Sequence, residues 1–276
     1  MFNFKLGIIG CGNMGKAILS GVVNSRFLSP VEIIATDLNK DLEKVITSSF
    51  GIIWGKSNYD VVKNSKYILI AVKPQSLNDV LGEIKGALNK DNVIISIVAG
   101  IPTYYIQKRL DLAVGVVRVM PNAPSLLGKG MSAITKGDYV SEKDFDFIVN
   151  LVKSIGECVI VDEKYQNVAT ALSGSGPAYF FMLCKHLINA GITEGLPSDV
   201  ARKLVVETLV GSAEMMKNYE GDVDKLIKMV ASPGGTTEAA LSKFYKRKID
   251  RIILEAVKSA TKRAEELQGL LELKID

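Results

Sequence analysis

A glycine-rich segment near the N-terminus has the spacing of a phosphate-binding turn. Gly10, Gly12 and Gly15 fit the pattern G-x-G-x-x-G, after the apolar run Leu6 to Ile9 and before a segment of helical periodicity. In such a turn the first glycine allows a sharp bend, the second lets the backbone approach a pyrophosphate, and the third permits close packing of helix on strand. Glycines alone would also suit an ordinary turn, but the flanking strand and helix favour a dinucleotide site.

An acid follows the second predicted strand, where a ribose-binding carboxylate is expected. Asp37 ends the run Ile33 to Asp37, and its carboxylate can accept hydrogen bonds from the adenine ribose diol, which favours NADH. Thr36, Asn39 and Lys40 offer donors for a 2′-phosphate, so the sequence leaves NADPH open as well. Asp37 could instead cap the following helix.

Three further turn segments are candidates for ligand contact. Ala71 to Gln75 follows a buried strand, at the sheet edge where open α/β folds bind ligands, although an ordinary turn explains it equally well. Leu172 to Ala178 and Ala231 to Thr237 are rich in glycine and serine, and each leads into a predicted helix. Such segments can present unpaired backbone N–H groups to a carboxylate, or can simply connect closely packed helices.

The elements that must position these residues alternate between strands and helices in the first half of the chain. Near-continuous apolar runs indicate strands buried on both faces, as in a parallel sheet covered by helices. The pattern predicts an α/β fold with a doubly wound, Rossmann-type sheet. The predicted strands are Leu6 to Ile9, Val31 to Ala35, Tyr67 to Val72, Asn92 to Val98, Ala113 to Val119, Met131 to Ile134 and Cys158 to Val161; the predicted helices between them are Asn13 to Asn24, Leu38 to Thr47, Leu77 to Leu88 and Glu142 to Ser154.

Strand patterns stop after Val161, and helical periodicity takes over. We therefore predict two domains, a dinucleotide-binding domain over residues 1–161 and an all-helical domain over residues 162–276, without a flexible linker. The predicted helices are Ala178 to Gly191, Ser198 to Lys217, Val223 to Val230, Glu238 to Phe244 and Lys248 to Gln268.

Composition narrows the class of protein. The formal net charge is +4, with no long run of like charges, so nucleic acid is not an expected partner. Three widely spaced cysteines with no CxxC pair predict a reducing, cytoplasmic location and no metal site. The apolar N-terminal run reaches glycine too early for a membrane span and lacks a signal-peptide cleavage pattern, so we interpret it as a buried strand and expect no membrane partner.

Five motifs occur in the order found in pyrroline-5-carboxylate reductases, and the chain resembles that family over essentially its whole length. They are Gly10 to Gly15, Ala71 to Pro74, Arg118 to Pro124, Ser173 to Ala178 and Ser232 to Thr237. The stretch Leu226 to Phe244 is similar to the family's signature and is more specific than the glycine pattern.

The resemblance implies a Rossmann domain followed by a helical dimerisation domain, with active sites at the interface of a homodimer; larger rings of dimers also occur in the family. It implies a small cyclic imine carboxylate as substrate and NADPH or NADH as cofactor, although Asp37 stands where many NADPH-preferring relatives have a neutral residue. The implied cofactor-binding residues are Ile9, Gly10, Cys11, Gly12, Asn13, Met14, Thr36, Asp37, Asn58, Ala71, Val72, Lys73, Pro74, Ile97, Val98 and Ala99.

The same resemblance implies a substrate site with few titratable groups. The Thr237 hydroxyl would lie near the ring nitrogen as the catalytic group, and Glu163 would favour the cationic iminium or product amine. Catalysis would rest mainly on positioning, so His186, the single histidine, is expected to be structural. The implied substrate-binding residues are Glu163, Ser232, Gly234, Gly235, Thr236 and Thr237.

Two other classes of function compete with this interpretation. A β-hydroxyacid dehydrogenase would use a lysine on a helix of the second domain, but the helix after Gly176 offers only Lys185. A protein that binds dinucleotide without catalysis would keep the fold alone. The intact segment Ser232 to Thr237 argues against loss of the substrate pocket.

Overall fold

The computed structural model describes residues 2–272 and divides into two compact units. The first unit comprises the chain up to Ser175 together with the chain from Ser259 onward, and the second comprises Gly176–Lys258. The predicted boundary after Val161 concerns which residues bind the cofactor and which bind substrate and dimerise, and it stays a prediction.

An eight-stranded sheet forms the centre of the first unit. Its strands are β1 (Phe4–Ile9), β2 (Ile33–Thr36), β3 (Ile53–Trp54), β4 (Ser65–Ile70), β5 (Val93–Ser96), β6 (Gly115–Met120), β7 (Gly130–Lys136) and β8 (Gly156–Ile160). Their spatial order is β3-β2-β1-β4-β5-β6-β7-β8. The order reverses between β1 and β4, and ligands of open α/β sheets bind at such a reversal.

Helices connect and cover these strands, and further helices form the second unit. In chain order they are α1 (Asn13–Asn24), α2 (Asp41–Phe50), α3 (Asn58–Asn64), α4 (Leu77–Ile84), α5 (Thr103–Leu110), α6 (Glu142–Lys153), α7 (Gln166–Ala169), α8 (Gly176–Thr193), α9 (Ser198–Lys217), α10 (Val223–Val230), α11 (Thr236–Lys246) and α12 (Ile249–Glu272). A π-helical stretch, Thr170–Gly174, joins α7 to α8. The described chain after β8 contains helices and no strand, so the predicted helical C-terminal region is confirmed.

The two faces of the sheet carry separate hydrophobic cores. Leu6 and Ile8 of β1 point into one cluster of buried side chains, whereas Ile9 points into the other. In β4, Leu69 and Ile70 divide in the same way. Because successive side chains of a strand point to opposite faces, this division shows a sheet buried on both sides, which confirms the predicted Rossmann-type fold.

Two strands, β7 and β8, run opposite to the other six, which differs from the parallel sheet that the pattern predicted. β7 pairs antiparallel with β6, while β8 pairs parallel with β7. The connection between β6 and β7, residues 121–129, is shorter than the dozen or so residues that a parallel crossover requires. A short return therefore reverses the chain.

A polar cluster links the start of β4 to the start of α6. Lys66 Nζ lies 2.6 Å from Asp144 Oδ1, the Tyr67 hydroxyl donates to the same oxygen at 2.8 Å, and the Ser141 hydroxyl donates to Oδ2 at 2.6 Å. Partial burial acts to raise the pKa of Asp144, but the three hydrogen bonds outweigh burial and leave that pKa below its usual value.

The second unit buries very little of its own apolar surface. Of its residues, all of which the structure describes, only Gly176 and Ala201 are buried. Large apolar side chains stand exposed along α8 and α9, among them Phe181, Leu204 and Val210. Within residues 2–272, no helix has both the length and the apolar character needed to cross a membrane.

Candidate active site

The glycine turn after β1 has the geometry that its spacing predicted. Gly10 has φ +99°, which L side chains rarely adopt, and a Cβ there would lie 2.7 Å from Ala71 O. A Cβ on Gly15 would collide with Gly10 O, whereas a Cβ on Gly12 would meet no protein atom within 4 Å. The turn thus leaves open space at the glycine that a pyrophosphate is expected to approach.

The helix after this turn begins without an internal counter-charge. α1 has no acid in its first turn, and the N-cap residue Gly12 offers no side-chain acceptor. The backbone N–H of Lys16 donates to Gly12 O at 2.9 Å, so the amides before Lys16 precede the helical bonding pattern. These amides and the positive end of the helix dipole fit a phosphate group.

The turns predicted to bind the cofactor lie at one edge of the sheet. Backbone hydrogen bonds connect them, from Gly10 N to Thr36 O at 2.9 Å, from Ala71 N to Ile9 O at 2.8 Å, and from Ile97 N to Ile70 O at 3.1 Å. The structure therefore brings together the residues that follow β1, β2, β4 and β5. The predicted cofactor residues at this edge are Ile9, Gly10, Cys11, Gly12, Asn13, Met14, Thr36, Asp37, Ala71, Val72, Lys73, Pro74, Ile97, Val98 and Ala99.

Asn58, the remaining predicted cofactor residue, is the first residue of α3, which follows β3. Its side-chain amide donates a hydrogen bond to Glu83 Oε2 of α4 at 2.6 Å.

The Asp37 carboxylate connects the glycine turn to the loop after β2. Its Oδ2 accepts a hydrogen bond from Cys11 N at 2.6 Å, and its Oδ1 accepts one from Asn39 N at 2.8 Å. Asp37 does not cap α2, because the side chain that accepts from the first helical amide, Asp41 N, belongs to Asn39. The alternative interpretation of Asp37 as a helix cap is therefore wrong.

Cys11 lies under the glycine turn as an unreactive thiol. Its side chain is buried, and burial, together with the neighbouring Asp37 carboxylate, raises the pKa of the thiol to about 12 against a smaller opposing effect of Lys16. Because the thiolate is the reactive form, Cys11 is structural at neutral pH.

Glu163 lies in a cluster that the sequence analysis did not anticipate. Arg118 Nη1, on the buried strand β6, lies 2.6 Å from Glu163 Oε1. Oε2 accepts hydrogen bonds from the Thr103 hydroxyl at 2.8 Å and from Thr103 N at 3.1 Å. The side chain of Glu163 is 28% exposed, and that of Arg118 is 2% exposed. The carboxylate charge is thus already balanced by a guanidinium.

The buried Arg118 guanidinium is only partly paired with other groups. Burial lowers the pKa of the Arg118 guanidinium, and attraction to Glu163 opposes that effect. Its Nη2 has no hydrogen-bond partner among the described residues. An arginine within the apolar strand Gly115–Met120 was the sequence feature that could have revealed this cluster, because buried arginines are rarely unpaired.

The first glycine and serine cluster, Leu172 to Ala178, joins a π-helical stretch to α8, which begins at Gly176. The chain enters it from α7 through the π-helical stretch, in which Ser175 N donates to Thr170 O. Asn122 Nδ2 donates to Ser173 O at 3.2 Å, while Asn122 Oδ1 accepts from Met131 N at 2.9 Å. The expected cradle of unpaired amides is therefore absent around Ser173 to Ser175 in the described structure.

The second cluster, in the second unit, does form a turn ahead of a helix. Gly235 N donates to Ser232 O at 3.0 Å, and Gly234 has φ +71°. α11 follows with Gly235 as its N-cap and without a side-chain cap. Gly234 N donates to the carboxylate of Glu238 at 2.7 Å. The loop thus already hydrogen-bonds a carboxylate, one supplied by its own helix.

Lys185 and His186, the two side chains of α8 that were considered as catalytic groups, are both exposed. Across the described residues, no group of His, Cys, Asp and Glu side chains has the arrangement of a metal site.

Comparison with family models and known proteins gives matches along nearly the whole chain. Residues 163–267 match the model "Pyrroline-5-carboxylate reductase dimerisation", and residues 5–100 match "NADP oxidoreductase coenzyme F420-dependent". A pyrroline-5-carboxylate reductase of Corynebacterium melassecola is 34% identical over 95% of this chain and 98% of its own length. One of Escherichia coli is 33% identical over 95% and 98%.

Solved structures agree with these matches. A pyrroline-5-carboxylate reductase from Coxiella burnetii superposes with a TM-score of 0.90 at 30% identity, covering 96% of this chain and 98% of that one. A pyrroline carboxylate reductase from Plasmodium falciparum with NADP bound superposes with a TM-score of 0.87 at 29% identity, covering 97% and 99%. With fold, glycine turn and both halves of the chain in agreement, this chain belongs to the pyrroline-5-carboxylate reductase family.

Proposed function

We propose that this chain reduces 1-pyrroline-5-carboxylate to L-proline with NADH or NADPH, the last step of proline biosynthesis. In the balanced reaction, the ring nitrogen of the imine takes up one proton from solvent, the carbon of the resulting iminium gains the hydride, the C=N bond becomes single, and the cofactor leaves oxidised. The observation that carries the proposal is the hydrogen bond from Gly234 N to the Glu238 carboxylate, because the substrate also presents a carboxylate.

The loop ahead of α11 supplies the chemistry for that carboxylate. The first amides of a helix have no intrahelical acceptor, and the dipole places partial positive charge there. We propose that the substrate carboxylate accepts from the first amides of α11, those of Thr236 and Thr237, and replaces Glu238 at Gly234 N, while Ser232 and Gly235 form the supporting turn. Each favourable contact of this kind contributes about 0.3–1 kcal/mol, and more where water is excluded.

The nicotinamide, when bound, supplies the hydride. The residues proposed to hold the cofactor are those of the sheet edge, together with Asn58. The glycine turn and the start of α1 fit its pyrophosphate, since Gly12 faces open space and the first turn of α1 carries no acid. Binding both reactants in fixed orientation can supply about 7–11 kcal/mol toward the barrier without any titratable group.

Thr237 and Glu163 have different proposed roles. The Thr237 hydroxyl is proposed to hydrogen-bond the ring nitrogen and so to hold the imine in orientation. Glu163 is proposed to lie against the substrate, but its contribution to charge at the imine is reduced because Arg118 neutralises it.

The second unit supports a homodimer. A unit whose residues are almost all exposed, with large apolar side chains along α8 and α9, leaves more apolar surface in water than a stable monomer tolerates. The match of residues 163–267 to a dimerisation model points to another copy of this chain. We propose a homodimer, and a ring of dimers as its higher assembly.

We further propose that residues 1–161 bind the cofactor and residues 162–276 bind substrate and dimerise. A cytoplasmic location fits the three free cysteines of the described structure.

The test is steady-state reduction of pyrroline-5-carboxylate, followed by loss of reduced cofactor absorbance and by direct detection of proline. Thr237→Ala should lower kcat by at least about tenfold, the low end for loss of one positioned hydrogen bond, while leaving cofactor affinity nearly intact. Thr236→Ala is the matched control, because alanine keeps the backbone N–H that Thr236 is proposed to contribute. Equal kcat in wild type and Thr237→Ala would remove Thr237 from the mechanism.

A panel of substrates separates the competing functions. Turnover of 3-keto acids in place of cyclic imines would indicate a β-hydroxyacid dehydrogenase, for which the exposed Lys185 is the available lysine on α8. Cofactor binding without any proline formation would indicate a dinucleotide-binding protein without catalysis.

A further inference from the structure

We infer that Asp37 makes NADH the preferred cofactor of this chain. The inference rests on one part of the proposed function, the binding of a dinucleotide at the carboxyl ends of the parallel strands. It goes further by choosing between two cofactors that differ in one group, the 2′-phosphate of the adenine ribose.

The Asp37 carboxylate is held in a fixed position at the end of β2. Cys11 N and Asn39 N each donate to a different oxygen of this carboxylate, at 2.6 Å and 2.8 Å. A carboxylate has about four acceptor positions, so two remain for the hydroxyls of a ribose. Since both bonds come from the backbone, a 2′-phosphate could displace the carboxylate only by breaking the link between the glycine turn and the loop after β2.

The donors that could have held a 2′-phosphate are largely removed by the fold. Thr36 is 2% exposed, so its hydroxyl lies inside the protein. The backbone N–H of Asn39 donates to Asp37, and the Asn39 side chain accepts from Asp41 N. Thr36 therefore offers no donor to a phosphate, and Asn39 keeps only the uncharged donors of its side-chain Nδ2.

The charges around this position also disfavour a phosphate. Lys40 and Lys56 are exposed and follow β2 and β3, but acids accompany them: Asp41 and Glu43 lie in the first turn of α2, and Asp60 accepts from Lys56 N. The lysines that follow β2 and β3 are thus interspersed with carboxylates, which oppose their attraction for a phosphate.

The first turns of α1 and α2 differ in how well they can bind an anion. The first turn of α1 has no acid and no side-chain cap, which leaves it open to the pyrophosphate. The first turn of α2 carries two acids, which already complement its dipole. The start of α1 therefore suits a phosphate better than the start of α2 does. The Plasmodium falciparum relative was solved with NADP bound, so this chain is inferred to differ from it.

Binding of the two reduced cofactors tests the inference without any substrate. Titration of wild-type protein, followed by cofactor fluorescence, should give a Kd for NADH at least about tenfold below that for NADPH, the ratio that about 1.4 kcal/mol of repulsion produces. Asp37→Asn keeps an oxygen that can accept from Cys11 N but removes the charge. It should reduce the ratio at least about fivefold, mainly by tightening NADPH binding.

Asp91→Asn is the matched control, because it removes the same unit charge from an exposed residue just before β5, at the amino ends of the parallel strands. Its ratio should stay within about twofold of wild type. Wild-type protein that binds NADPH as tightly as NADH overturns the inference, as does an Asp37→Asn ratio that equals the wild-type ratio or a shift of equal size in Asp91→Asn. A failure of the proposed function would look different, as absent proline formation with the cofactor ratio intact.

Discussion

Replacing Glu163 by alanine should destabilise the protein strongly, because it leaves the buried guanidinium of Arg118 without its carboxylate. Removing one partner of a buried ion pair costs about 3–5 kcal/mol. Glu163 is 28% exposed, so water can partly replace it, and the low end, about 3 kcal/mol, is expected. The Nη2 of Arg118 already lacks a partner among the described residues, and Thr103 loses its acceptor as well.

Thermal unfolding at fixed protein concentration measures this loss. About 3 kcal/mol corresponds to a Tm lower by about 6–12 °C for a domain of this size. Glu142→Ala is the control: it breaks the pair of Lys136 with Glu142, whose side chain is 83% exposed, and should cost less than about 1 kcal/mol. The double variant Arg118→Met/Glu163→Leu, which removes both charges, should recover part of the lost stability.

Two results would refute this reasoning. A Tm for Glu163→Ala within about 2 °C of wild type would mean that the pair stabilises no more than a surface pair does. A double variant less stable than Glu163→Ala would mean that the unpaired guanidinium is not what costs stability.

Three further outcomes are expected. Asp144→Asn should lower Tm more at pH 7 than at pH 3. A carboxyl whose pKa is lowered in the folded state stabilises the protein above its unfolded pKa of about 3.9, and it loses that contribution as pH falls through the folded pKa. Equal shifts in Tm at both pH values would contradict this. Cys11, with its pKa raised to about 12, should react with iodoacetamide at pH 8 at least about tenfold more slowly than Cys184 until the protein is unfolded, and equal labelling by mass spectrometry would count against its burial. Gly15→Ala should weaken NADH binding at least about tenfold and cost about 1–3 kcal/mol of stability, since the new methyl collides with Gly10 O; an unchanged Kd in a fluorescence titration would exclude the close approach.

Helices with a clear amphipathic period were predictable. α1, α9 and α10 begin and end at the predicted residues, and the longer α8 and α12 differ only at their ends. The strand ends were less predictable. Val72 continues an apolar run, yet β4 ends at Ile70, where its pairing with both β1 and β5 ends. β3 has two residues, too few for any period to appear.

The candidate site was predictable where it depends on local spacing and unpredictable where it depends on tertiary pairing. Gly10, Gly12 and Gly15 belong to one turn and the start of α1, so their spacing predicts its geometry, although the close approach of Gly10 to Ala71 is a tertiary contact. Thr103 and Glu163 lie 60 residues apart, and no local pattern links them.

The segment around Ser173 leads into α8 as predicted, but it does not offer the open amides that its glycine and serine content suggested. Ser175 N donates to Thr170 O within a π-helical stretch, and Ser173 O accepts from Asn122, 51 residues earlier in the chain, a pairing that no local pattern reveals.

The chain leaves the first unit after Ser175 and returns at Ser259, partway along α12. On its return it packs against the loop after β5, where a Cβ on Gly100 would lie 3.7 Å from Leu267 Cβ and 3.9 Å from Ala264 O. In the gene, the second unit is inserted between the two segments of the first unit, so its exchange between relatives requires two recombination breakpoints, one at each end. A stop codon after Lys258 would likewise remove residues that pack within the first unit, so variants shortened at this end should be tested for cofactor binding as well as for assembly.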